Sequence, residues 1–153
     1  MTGGYWEWKE DADGYAPYKN EVLKKWQDAL RERGIISKND LLVFTAQALA
    51  ENGALDPLVI GDKGCSLGLP QKNWCSHEGI SAKKALKKYP EWSNLDTQLG
   101  WFADSTIDHL KKFSDIKWAV IAHNSPKAAL YKNDDHYWKA VVRQQKLLEW
   151  KDS

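Results

Sequence analysis

Apolar residues recur at helical spacing over most of this chain, and a few glycine-, proline- and polar-rich stretches interrupt them. Val22, Leu23, Trp26, Ala29 and Leu30 form a stripe within 18–33, and Gly34 supplies a left-handed stop, which predicts a first helix there. Leu41, Leu42, Thr45, Ala48 and Leu49 form a second stripe. Ser37 and Asp40 fit the two ends of a starting cap, so this second helix is expected to bury one face and to end at Glu51-Asn52-Gly53. Ser81 caps a short basic helix over 82–89, which Pro90 stops. Leu95, Leu99, Phe102, Ile107, Leu110 and Phe113 predict one or two helices over 94–114, and an almost wholly apolar helix follows at 118–124. The last helix is expected over about 134–150, with Trp138, Val141, Val142 and Leu148 inward.

One segment breaks this rhythm. Gly61, Gly64 and Gly68 punctuate GDKGCSLGLPQ, and the turn pair Asp62-Lys63 predicts a short hairpin folding back beside the end of the second helix. Residues 72–79 read as a loop. Residues 1–17 are rich in Tyr, Trp, Gly and acidic groups and read as an irregular arm whose Tyr5, Trp6 and Trp8 pack onto the body. Residues 18–153 then form one domain. The fold class is mainly α (α+β), a helical domain with one small β-hairpin beside a groove.

Composition narrows the function classes. A chain of 153 residues is long enough for one hydrophobic core. A formal net charge of +1 gives no electrostatic case for nucleic acid, and no apolar run is long enough for membrane insertion. Nine Trp stand beside three Phe and one Met. Each indole can serve as a core residue with a polar handle or as a platform for a sugar ring. Cys65 and Cys75 bracket the Gly-Leu-Pro-Gln segment; they are read as two free, partly buried thiols, with a disulfide as the alternative outside a reducing compartment. Cys65, Cys75 and His77 lack the paired close spacings of a structural zinc site, so no metal is expected.

The chemistry centres on Glu51. A carboxylate in the last turn of a helix faces the negative end of the helix dipole, an arrangement that stability alone does not favour. Next come Gly68-Leu69-Pro70-Gln71 and then Ala122-His123-Asn124-Ser125-Pro126. Together these three ordered motifs, spanning about 41–148, resemble the lysozyme-like superfamily, and within it the soluble lytic transglycosylases and goose-type lysozymes. In those families a catalytic Glu, usually followed by Ser, ends a buried helix, a Gly-Leu-(Met/Phe)-Gln hairpin follows, and an Ala-Tyr-Asn motif comes later. Asn52, Pro70 and His123 depart from that pattern.

The resemblance implies cleavage of the MurNAc-GlcNAc β-1,4 bond of peptidoglycan without cofactor. Glu51 would protonate the leaving oxygen and then deprotonate the muramyl 6-hydroxyl, giving a 1,6-anhydro end. Ser66, Leu69, Gln71, His123 and Asn124 would contact the glycan, His123 being equally readable as a satisfied core histidine. Asp62 follows Glu51 as a hairpin Asp does in phage-type lysozymes, so a hydrolytic route with Asp62 orienting water is the near alternative, and an ordinary turn role the bland one. A non-catalytic wall-binding or virion module is the alternative of another class. Residues 1–15 lack the basic-then-apolar order of a secretory signal. Action at the bacterial wall or periplasm would then follow release by a phage lysis system, carriage in a virion, or processing of an exported precursor.

Overall fold

The computed structural model describes residues 3–9 and 16–152; the remainder of the expected arm, 1–2 and 10–15, and residue 153 lie outside the described residues. The protein is mainly α with small β elements. In chain order the elements are β1 (Tyr5–Trp8), α1 (Ala16–Glu32), α2 (Lys38–Glu51), β2 (Ile60–Gly61), β3 (Ser66–Leu67), β4 (Lys72–Asn73), α3 (Trp74–Glu78), α4 (Ala82–Lys88), α5 (Leu95–Phe113), α6 (Ile116–Asn124), α7 (Pro126–Tyr131), α8 (His136–Gln145) and β5 (Leu148–Lys151).

The expected helices form where stripe and cap agree. In α1 the stripe Val22, Leu23, Trp26 and Leu30 is buried. Its end is closed by Gly34 at φ 93°, with Ile35 N–H donating to Leu30 and Gly34 N–H to Arg31. That double bond pattern satisfies carbonyls the helix would otherwise leave open. Ser37 accepts from Asp40 N–H at 3.1 Å and starts α2. The Ser81 hydroxyl likewise caps α4, and one unbroken α5 fills 95–113.

Several expectations are corrected. The helix α2 is buried from Phe44 to Leu49, including Thr45 and Gln47, rather than on one face, because α1, α6 and α8 all pack around it. Residues 5–8 are a strand rather than an irregular arm, paired antiparallel with β5 from Tyr5↔Lys151 to Trp8↔Leu148. The arm's boundary falls inside α1, which begins at Ala16. The last helix stops at Gln145; Leu148 is buried as a strand residue, and Val142 is exposed. Instead of a single hairpin, β2, β3 and β4 form a three-stranded antiparallel meander, and the expected 72–79 loop contains β4 and the Asn73-capped α3.

The described interior has one large core and two small ones, the second of these made by Ile121, Ala122, Ala128 and Ala129 of α6 and α7. Trp26 lies at the centre of the large one, stacked on Phe102 at 4.4 Å, with its indole N–H donating to the Phe44 carbonyl at 2.8 Å. Leu67, Trp74, Ala82, Ala85 and Trp92 make the first small core, under the β-meander. Burying an aromatic or leucine side chain of this kind contributes about 1.5–3 kcal/mol each before entropy is counted. Gln98 of α5 sits between the large core and the first small one and is fully buried. It accepts from Leu69 N–H at 2.9 Å and donates to the Pro57 and Trp92 carbonyls at 2.8 and 2.7 Å. Gly68, at φ 80°, packs on this amide so closely that a Cβ would collide with it. One buried glutamine thereby fixes where the meander stands relative to α5.

Candidate active site

Glu51 occupies the last turn of α2, and its side chain is 11 % exposed. The next residue, Asn52, is buried and donates to the carbonyls of Asp56 at 2.7 Å and Gly68 at 3.1 Å. From α6, His123 donates through Nε2 to the Pro70 carbonyl at 2.7 Å; a carbonyl only accepts, so this nitrogen carries the proton. The three sequence motifs therefore meet through two side-chain bonds to the Gly68–Pro70 backbone, and Glu51 lies where they meet. His123 Nε2 stands 3.8 Å from the Glu51 carboxylate.

A cavity of about 200 Å³ opens at this point. Glu51, His123, Asn124 and Pro126 line it from the helical side, with Asp62, Gln71, Lys72 and Asn73 on the meander side. Ser76, His77 and Trp101 complete the wall. A second cavity of about 200 Å³ shares Asn124 and is lined by Ser125, His136 and Tyr137. Larger hollows of about 370 and 470 Å³ lie elsewhere, by Lys25 and Asp96 and by Tyr18 and Ala54. Neither gathers a buried acid or base, so neither offers comparable chemistry.

Electrostatics single out Glu51. Burial pushes its pKa up from 4.5 to about 7; a hydrogen bond from Tyr137 pulls it down in part, and the neighbouring charge of Asp62 pushes it up. The C-terminal ends of α2 and α6 add partial negative charge on the same side. Tyr137, from α8, donates its phenol proton to Glu51 Oε1. Burial and the Glu51 carboxylate raise the phenol's own pKa well above 10.0, so it remains a neutral donor. Gln47, one turn before Glu51, lowers that pKa in part. Burial holds His123 down at about 4, and Phe102 packs against its ring at 4.7 Å. His123 is thus a neutral, tethered part of the wall.

The chain matches no family model, no curated protein and no solved structure. What the site can do is set by its own geometry.

The residues expected at the site divide into two groups. Glu51, Asp62, Gln71, His123 and Asn124 converge on the cavity. Ser66 and Leu69 do not. Leu69 is fully buried in the large core. Ser66 is fully buried behind Asp62 and donates to its carboxylate at 2.6 Å, so it aims that group instead of meeting a ligand. Asp62 is itself a turn residue, at φ 50°, and a cavity residue as well. Gln71 donates to the Val59 and Gly68 carbonyls at 3.1 and 2.9 Å, leaving only its oxygen for a ligand.

Cys65 and Cys75 are joined in a disulfide, correcting the free-thiol reading and removing both sulfurs from any zinc set. The bond ties the start of β3 to α3, two stretches that flank the cavity. Tyr137, Gln47 and Lys72 were missed. Tyr137 lies 86 residues from its partner, and no local pattern marks it. Gln47 had a weak signal, a polar residue one turn before Glu51 in an otherwise apolar run.

Proposed function

We propose that this protein is a lysozyme-like glycosidase that cuts the MurNAc-GlcNAc β-1,4 bond of peptidoglycan, with Glu51 as acid and then base. One observation carries the reading: a carboxyl held protonated near neutral pH, in the wall of a groove, by burial and helix ends. Departure of a glycosidic oxygen needs such a proton donor while positive charge develops on the sugar. After donating, the Glu51 carboxylate keeps the Tyr137 hydrogen bond and can take a proton from the attacking hydroxyl.

The attacking group in this reading is the muramyl 6-hydroxyl, which leaves a 1,6-anhydro end. An attached nucleophile held in line gains a large effective concentration over solvent. A second reading is favoured by Asp62, whose carboxylate lines the same cavity and is aimed by Ser66. There it orients a water, and the product is a reducing end. In either case the protein acts at the bacterial wall, reached through a phage lysis system, a virion or export.

Digestion of purified cell walls with mass spectrometry of the muropeptides tests all of this. Anhydro ends, one water lighter than hydrolysed ones, are expected, with release reduced about 100-fold or more in Glu51→Gln. Reducing ends together with a crippled Asp62→Asn move the assignment to the hydrolytic route. Binding without any release by folded protein across pH 4–8 makes the protein a wall-binding module instead.

A further inference from the structure

A lysine in the groove wall sits in a setting that the glycosidase reading leaves unused. Lys72 lies in β4 directly after Gln71, and its Nζ stands 4.1 Å from the ring centre of Trp74. The rings of Trp92 and Trp101 are 4.8 and 4.9 Å away. These indoles brace one another edge to face, Trp74 on Trp92 at 5.2 Å and Trp92 on Trp101 at 5.8 Å. Trp74 and Trp92 belong to the small core under the meander, so the cage is part of the folded interior.

Aromatic faces attract a cation but take none of its hydrogen bonds. Among the described residues, Lys72 has no carboxylate within ion-pair distance and no acceptor for its three N–H groups. Glu78 is near enough to favour its charge, yet that carboxylate is engaged by the Tyr89 hydroxyl at 2.8 Å and by Lys88 at 3.7 Å. Burial lowers the pKa of Lys72, the direction expected for an ammonium with too few polar partners. Its side chain lines the cavity that holds Glu51 and Asp62. The open N–H positions and the missing negative charge describe one kind of ligand.

We propose that Lys72 is the receptor for a carboxylate carried by the glycan, so that this groove selects acidic strands over neutral ones. The proposal rests on the glycosidase reading and names the substrate class within it. On a muramyl strand the carboxylate has two sources. It is the lactyl ether group when the stem peptide is absent, and a peptide carboxylate when the stem is present. Both offer two oxygens to a caged ammonium, and a charge-assisted bond of that kind supports about tenfold or more in affinity.

The test measures binding in the Glu51→Gln protein, so that no strand is consumed, with three probes: neutral chitohexaose, peptide-free muramyl strands and peptide-bearing strands. Acidic strands are expected to bind about tenfold tighter than chitohexaose, with an advantage that shrinks as salt is raised. Adding Lys72→Met, which keeps the apolar stem among the indoles, should erase the advantage without weakening chitohexaose; Lys72→Arg should retain it. Preference for peptide-free strands assigns the lactyl source, and preference confined to peptide-bearing strands assigns the stem. Equal affinity for acidic and neutral probes overturns the proposal, as does an equal loss for both in Lys72→Met. An advantage that does not shrink with salt in the Lys72 protein overturns the proposal even if the substituted chains do not fold. If unsubstituted protein cleaves muramyl strands but shows no charge preference, the lysine inference alone falls. If it neither binds nor cleaves any glycan, the glycosidase reading falls first and takes the inference with it.

Discussion

Replacing Glu51 with glutamine should make the protein more stable at neutral and alkaline pH, whatever it does to activity. Below pH 4.5 the carboxyl holds its proton in both the folded and the unfolded chain and costs nothing. Between 4.5 and about 7 the unfolded chain loses the proton while the folded site retains it, so stability falls as pH rises. Above about 7 the folded site ionises too, and the cost stops growing. The rise from 4.5 to about 7 corresponds to roughly 3 kcal/mol at about 1.4 kcal/mol per pH unit. With a side chain only 11 % exposed, solvent screening takes little of this away. Glutamine has the same shape, does not ionise and still accepts from Tyr137. Urea unfolding of both proteins from pH 4 to 9 should show their stabilities diverging by roughly 3 kcal/mol, almost all of it between pH 4.5 and 7. A gap that stays constant over that range would refute the reasoning, because it would mean that folding leaves the proton affinity of Glu51 unchanged.

The remaining predictions concern the groups around that carboxyl. In Tyr137→Phe, loss of a bond that favours the charged form should move the alkaline limb of wall digestion upward by about one to two pH units, from a contribution of about 1.5–3 kcal/mol; a pH profile of muropeptide release checks this, and a downward movement contradicts it. Reducing the Cys65–Cys75 bond, which spans a sequence separation of 10, should cost roughly 2–3 kcal/mol by chain entropy. Thermal unfolding with and without reductant measures that loss, and glycan binding should weaken in parallel because the bond holds α3, whose Ser76 and His77 line the cavity.

What could be read from the sequence was what neighbouring residues determine. Glu51 was placed at a helix end by a cap, a stripe and a glycine, all between Ser37 and Gly53. Gly68 and Asp62 announced a turn for reasons of backbone conformation. Features made by distant segments left no such trace. The β1–β5 pair joins residues more than a hundred positions apart, and Trp-rich ends without alternation do not advertise a strand. Val142 belongs to α8 but stands one helical step from the buried Val141, which turns it to solvent, whereas Leu148 lies past Gln145, where the helix has ended, and turns in as a strand residue. Ser66 and Leu69 have the composition of binding residues, but which way a strand residue faces depends on the core it meets. Pairing of the two cysteines depends on compartment as well as on position, and local spacing decides neither.

The pairing of β1 with β5 also sets an order of events during synthesis. Tyr5–Trp8 is made before Leu148–Lys151 and has no strand partner until that strand follows. Just upstream of that late strand, α8 carries Tyr137. A nascent chain therefore holds Glu51 with one wall of its pocket missing, open to water, until α8 docks. Acid catalysis of the kind proposed switches on only once α8 has docked on α2, and chains that stop short of α8 would be inert toward glycan.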